Sequence, residues 1–78
     1  MQLLITKVDE TLFSGEVYSV TLPTADGEMT ILGEHMPLAT VLKDGTVRVR
    51  RERDTPFEEF PVISGVLEVT REGATVLL

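Results

Sequence analysis

The stretch that decides the fold runs from Val17 to Leu32 and reads V-Y-S-V-T-L-P-T-A-D-G-E-M-T-I-L. Two segments of alternating apolar and polar residues flank an Asp-Gly pair, which favours a tight β-hairpin turn because glycine accepts positive φ angles. We therefore expect residues 20–22 to pair with residues 28–32 in an antiparallel hairpin. Pro23 is expected to end the first strand, since proline lacks the N–H that a sheet ladder requires.

The same rhythm continues along the rest of the chain. Short segments rich in Val, Ile and Thr are interrupted by Gly, Asp or Pro about every eight to twelve residues, as in antiparallel all-β proteins. Residues 2–8 are expected to form a strand, and residues 66–70 and 75–78 to form a closing hairpin in which Val66, Glu68 and Thr70 alternate with Leu67 and Val69. No segment shows a sustained helical period, since the nearest candidate, residues 8–13, is short. The sequence predicts an all-β fold, a small antiparallel β-sandwich of two sheets with about eight to ten short strands.

A long, charged hairpin is expected in the second half of the chain. Alternation places Val47 and Val49 inward, whereas Arg48 and Arg50 are expected to face solvent or a partner. A reversal is expected at residues 53–56. The residues expected to return to the core after this reversal are Phe57, Phe60, Val62 and Ile63.

Arginine supplies most of the positive charge in this acidic chain. Four of the seven basic residues are arginines within residues 48–53. The simplest interpretation is a solvated hairpin face that pairs with Glu52, Glu58 and Glu59 across the strands. A contact with an acidic partner surface is the alternative. Nucleic-acid binding is disfavoured, because no aromatic residue is interleaved with these arginines and because the net charge is −6.

Length and composition bound the class of protein. With 78 residues, the chain is expected to form one domain, residues 1–78. Three Phe, one Tyr and no Trp leave a core built mainly from Val, Leu and Ile. A chain of this size buries only about 60–65% of the surface that its unfolded form exposes, so contact with a partner is plausible.

The residue inventory disfavours catalysis and metal binding. The chain has no Cys, and its one histidine, His35, cannot form a two-His metal centre. Neither a nucleophile–base pair nor a phosphate loop has a recognisable pattern, so we predict no enzymatic activity, no cofactor and no metal. Because there is no apolar run of about 18 residues and no signal peptide, direct membrane insertion is not expected.

Four stretches carry further patterns, at residues 12–17, 27–38, 45–49 and 62–69. They read L-F-S-G-E-V, G-E-M-T-I-L-G-E-H-M-P-L, G-T-V-R-V and V-I-S-G-V-L-E-V. Together, in order and spacing, they resemble the N-terminal domain of the F-type ATP synthase ε subunit, called δ in mitochondria. The chain departs from that family where Gly33-Glu34 replaces Pro-Gly and where Val66 replaces a second Gly, which affects local loop geometry and not the fold.

The resemblance implies a non-catalytic rotor subunit of the central stalk, which links the γ subunit to the c-ring and couples ion translocation to ATP synthesis. It also implies a peripheral position on the cytoplasmic face of a bacterial plasma membrane. Family members continue into a C-terminal helical hairpin that these 78 residues do not include, so coupling and assembly are the roles implied. The implied contacts at one end of the sandwich with the c-ring are Glu28, Met29, His35 and Met36, and those with γ are Leu42 and Ser64.

An autonomous β-sandwich module that binds a ligand or another protein is the alternative hypothesis. Such a module should present a concave pocket with aromatic platforms, for which the chain offers only Tyr18 and three Phe. Association with a γ subunit separates the two hypotheses.

Overall fold

The computed structural model describes residues 1–33 and 36–78, and this part of the chain forms nine β-strands. The alternating Val-, Leu- and Ile-rich segments form the strands, and pairs rich in Asp, Glu or Gly form most of the turns between them. In chain order the strands are β1 (Gln2–Lys7), β2 (Glu10–Glu16), β3 (Ser19–Thr24), β4 (Gly27–Leu32), β5 (Leu38–Leu42), β6 (Gly45–Arg50), β7 (Glu58–Val62), β8 (Gly65–Thr70) and β9 (Gly73–Leu77).

The strands form two layers that share one corner. Hydrogen bonds connect them in the order β2-β1-β9-β8-β5-β3-β6-β7, with β4 on the free side of β3. One bridge, Thr24 opposite Leu42, joins β3 to β5 and so divides the path into a β2-β1-β9-β8-β5 layer and a β4-β3-β6-β7 layer. All pairs are antiparallel except β1 with β9. The predicted all-β sandwich is confirmed, with two layers that are continuous rather than separate.

The core lies between the two layers. Alternate residues of each strand point inward, because successive side chains of a strand lie on opposite faces. The Phe13 and Phe60 rings meet edge to face, with centroids 6.0 Å apart, and connect β2 to β7. The predicted inward residues of β6, Val47 and Val49, are confirmed. The buried apolar residues are Leu3, Ile5, Phe13, Val17, Val20, Leu22, Ile31, Leu42, Val47, Val49, Val62, Leu67, Val69, Ala74 and Val76.

The predicted hairpin is confirmed and is longer than expected. Strand β3 pairs with β4 from Ser19 opposite Leu32 to Thr24 opposite Gly27, and residues 25–26 form the turn. Gly27 has a φ of 112°, a conformation that other residues rarely adopt.

The prediction that Pro23 ends its strand is wrong. Pairing of β3 with β6 ends at Thr21, and pairing with β5 begins at Thr24, so Pro23 lies between the two ladders. Its missing N–H therefore interrupts neither of them. Its carbonyl accepts a hydrogen bond from the Lys43 backbone N–H at 2.9 Å, which helps to hold the corner.

Residues 8–13, which are too short to predict a helix, form the β1–β2 turn and the first part of β2. One other expectation needs correction. Phe57 and Ile63 do not return to the core: Phe57 is 42% exposed before β7, and Ile63 is 84% exposed in the turn after it. Phe60 and Val62 between them do face inward. Alternation along β7 therefore holds, but the strand is shorter than expected and excludes Phe57 and Ile63.

We expect Gly73→Ala to lower the free energy of unfolding by at least about 2 kcal/mol. Gly73 has a φ of 149°, and an added Cβ would collide with the backbone carbonyl of Gln2 on β1. Gly33→Ala is the control, since nothing lies within 4 Å of its Cβ position. Urea unfolding of both variants measures the effect, and equal stabilities would contradict this account of the β1–β9 pairing.

Candidate interaction surfaces

The structure separates the residues that the resemblance assigned to the c-ring. Glu28 and Met29 lie at the beginning of β4, beside the turn at residues 25–26, whereas Met36 lies in the connection that follows the other end of β4. From Glu28 to Leu32 the strand spans about 13 Å. Met36 therefore lies beyond the opposite end of β4 from Glu28, and its contact with the c-ring stays a prediction.

The individual c-ring residues also differ in orientation. The Glu28 side chain is 63% exposed on the outer face of β4. Met29 is half-buried and packs against the core, while Met36 is exposed. His35 lies outside the described residues. A c-ring contact through this set stays a prediction, with Glu28 as its exposed acidic member.

Glu28 is held by an arginine from a different strand. Arg48 on β6 donates a hydrogen bond from Nη2 to Glu28 Oε2 at 2.8 Å. The pair spans β3, since Glu28 lies opposite Pro23 and Arg48 lies opposite Thr21. The fold thus joins two of the four sequence stretches by an ion pair on the outer face of the second layer.

Aromatic rings contact arginines within residues 48–53. The sequence analysis did not predict these contacts. The guanidinium carbons of Arg48 and Arg50 lie 5.6 Å and 4.1 Å from the centroid of the Phe57 ring. Arg51 lies 4.7 Å from the centroid of the Phe13 ring. No aromatic residue interrupts residues 48–53, so only the pairing of β6 with β7 and the closure of β2 over the core bring these rings to the arginines.

The expected pairing of the arginines with glutamates is confirmed for Glu58. Arg51 donates from Nε and Nη2 to the two carboxylate oxygens of Glu58, and this hydrogen bonding raises the pKa of Arg51. Arg50 donates from Nη1 to the backbone carbonyl of Arg53 at 3.2 Å. In residues 1–33 and 36–78, neither Glu52 nor Glu59 forms an ion pair.

The outer face of the first layer carries a different surface, made of apolar side chains. Val41, Val66 and Leu77 are 59%, 45% and 53% exposed. Strand register places them side by side, because Val41 lies opposite Val66 and Val66 opposite Leu77. We call these three residues the apolar row. Adjacent exposed apolar side chains of this kind form a candidate contact surface.

The structure corrects one of the two residues assigned to the γ contact. Leu42 is 2% exposed and belongs to the core, so its side chain is not available to a partner. Val41 is the neighbouring residue of β5 that faces outward. Ser64 is exposed in the turn between β7 and β8, beside Ile63. Alternation along β5 places Val41 and Leu42 on opposite faces, but the bridge of Leu42 to Thr24 at the corner sets which of them faces inward.

The two ends of the sandwich carry shallow cavities. One of about 410 Å³ is lined partly by Met1, Met36 and Arg71, and one of about 320 Å³ lies between Ile63 and Leu78. Among the described residues, no group of three or more His, Cys, Asp or Glu side chains could hold a metal ion. The same residues include no helix that is long and apolar enough to cross a bilayer.

The chain is thus a small β-sandwich domain with two candidate contact surfaces, the apolar row and the Glu28–Arg48 pair. The chain belongs to the family of the ATP synthase Delta/Epsilon chain, β-sandwich domain, whose model matches residues 1–78. It is 39% identical over 77 residues to an ATP synthase epsilon chain of Herminiimonas arsenicoxydans and 42% identical over 78 residues to one of Acinetobacter baylyi. Both matches cover 99% of this chain and 55% of the relative, so the chain spans about half the length of these curated relatives.

Solved structures agree with this fold. A chain in the structure of the Euglena gracilis mitochondrial ATP synthase, OSCP/F1/c-ring, superposes with a TM-score of 0.86 at 26% identity. That match covers 96% of this chain and 48% of the other. A chain in the structure of the Tetrahymena thermophila mitochondrial ATP synthase central stalk and c-ring has a TM-score of 0.82 at 15% identity, over 99% of this chain and 61% of the other. The second likeness concerns the fold alone.

One buried hydroxyl makes two hydrogen bonds to the turn beside Glu28. Thr24 is 1% exposed, and its Oγ1 accepts a hydrogen bond from the Asp26 backbone N–H at 3.2 Å and donates to the Gly27 carbonyl at 2.6 Å. We expect Thr24→Val to lower the free energy of unfolding by about 1 kcal/mol, since both hydrogen bonds are lost at nearly constant volume.

Urea unfolding measures this change, with Thr46→Val as the control at an exposed position of β6. If both substitutions leave stability unchanged, the hydroxyl does not hold the turn.

Proposed function

We propose that the chain is a non-catalytic element of the central stalk of a bacterial ATP synthase, linking the γ subunit to the c-ring. Family membership and the bacterial epsilon chains that it resembles support this proposal. The chain would be peripheral, on the cytoplasmic face of the plasma membrane. An autonomous binding module is less well supported, because the family match spans all 78 residues.

The apolar row is the observation that carries the γ contact. Three adjacent, partly exposed apolar side chains on one sheet face leave hydrocarbon in water that a partner would cover. Interfaces are apolar at their centre and polar at their rim. Glu68, which lies two residues after Val66 on the same face of β8, supplies a polar residue beside the row.

The c-ring contact is assigned to the end of the sandwich that carries the turn at residues 25–26. Asp26 is exposed at this turn, and Glu28 lies beside it with most of its side chain exposed. An exposed ion pair contributes only about 0–1 kcal/mol, so Glu28 would orient the contact more than drive it. A basic residue on a polar loop of the ring is the group that this carboxylate would meet.

Coupling in this proposal is mechanical. The γ surface lies on the β2-β1-β9-β8-β5 layer, and the c-ring surface lies on the β4-β3-β6-β7 layer. The two layers share a packed core, and a close-packed interior transmits strain because it has few voids. Torque applied at one surface would therefore reach the other, with no bond made or broken in this chain.

We expect Leu77→Lys to weaken binding to a purified bacterial γ subunit by at least about tenfold, because a charge would replace the end of the apolar row. Leu32→Lys is the matched control, since Leu32 is 47% exposed on the outer face of the other layer. Isothermal titration with γ from the same organism measures the affinity. Undetectable binding of the unaltered chain, or an equal loss in both variants, would contradict the proposed γ surface.

A further inference from the structure

The Glu28–Arg48 ion pair joins an exposed carboxylate to an arginine that is partly buried. The Arg48 side chain is 36% exposed, against 63% for Glu28, and its Nε is buried without a hydrogen-bond partner among the described residues. The ring of Phe57 lies 5.6 Å from its guanidinium carbon. Arg48 is therefore packed against the sheet, and Glu28 is the more exposed member of the pair.

A second guanidinium group also contacts Phe57, since the guanidinium carbon of Arg50 lies 4.1 Å from the centroid of the Phe57 ring. Cation–π attraction favours arrangements in which these long side chains stay beside the ring. The ring, which sequence reasoning placed in the core, therefore lies outside and supports both arginines. This arrangement gives an exposed aromatic residue a role on the outer face.

We propose that Arg48 is a positioning residue for the ring-facing surface, and that it holds the Glu28 carboxylate, supported by Phe57, in the orientation that the c-ring meets. The inference rests on the proposed function, because the orientation of Glu28 matters for binding only if this surface meets the c-ring. The ion pair itself does not depend on the c-ring, since it is formed within this chain at 2.8 Å. A held carboxylate loses less conformational entropy on contact than a free one.

Two measurements on the 78-residue chain test this role. The first is NMR relaxation of the Glu28 side chain, in the unaltered chain and in Arg48→Met. The second is the affinity for a purified c-ring of four proteins: the unaltered chain, Glu28→Gln, Arg48→Met and the double variant. Arg51→Met is the matched control, because Arg51 also pairs with a glutamate and stacks on a phenylalanine.

We expect the Glu28 side chain to be ordered in the unaltered chain and in Arg51→Met, and to become mobile in Arg48→Met. Glu28→Gln and Arg48→Met should each weaken c-ring binding by about twofold to fivefold, with no further loss in the double variant. Equal Glu28 mobility with and without Arg48 would overturn the positioning role, whatever the affinity for the c-ring. Additive losses of c-ring affinity in the double variant would overturn it too, since Arg48 would then contact the c-ring directly.

If the unaltered chain does not bind the c-ring, the c-ring contact of the proposed function is refuted, and so is the proposed effect of Arg48 on c-ring binding. This result differs from failure of the positioning role, because the NMR measurement reports on the Glu28–Arg48 pair in the absence of the c-ring.

Discussion

One corner connects the whole structure: the bridge between Thr24 on β3 and Leu42 on β5. At this point the chain passes from one layer of the sandwich to the other, and both residues are buried. Pro23 fits here because neither ladder needs its N–H, and Gly45 fits because an added Cβ would come within 2.9 Å of the proline ring. A closed corner of this kind fixes how the two layers face each other, and hence which side chains form the core.

The two surfaces follow from that arrangement. Because alternate residues of each strand face the core, their neighbours point outward. The apolar row therefore lies on the outer face of one layer, and the Glu28–Arg48 pair lies on the outer face of the other. Each surface is carried by several strands joined by backbone hydrogen bonds, which makes it stiff. The proposed partners would therefore meet surfaces that are formed before binding, and binding would require little ordering of the chain.

Much of the fold could be predicted because strand alternation and turn chemistry are local signals. The β3–β4 hairpin, the inward residues of β6 and the family were all recognised from short patterns. Positions that depend on distant contacts could not be predicted in this way. Phe57 was misplaced because its outward ring is supported by arginines on β6, and Leu42 was misassigned because the facing of β5 is set at the corner. The separation of Glu28 from Met36 along β4 was likewise not predicted.

The chain has no cysteine, so a single introduced thiol reports one position without background. The most direct test of the linker account is disulfide cross-linking in assembled ATP synthase, with Val66→Cys in this chain and cysteines scanned along γ. The account predicts a γ cross-link from Val66→Cys and none from a cysteine at Thr30, which is exposed on the outer face of the opposite layer. Cross-linking of γ to Thr30→Cys alone would contradict it.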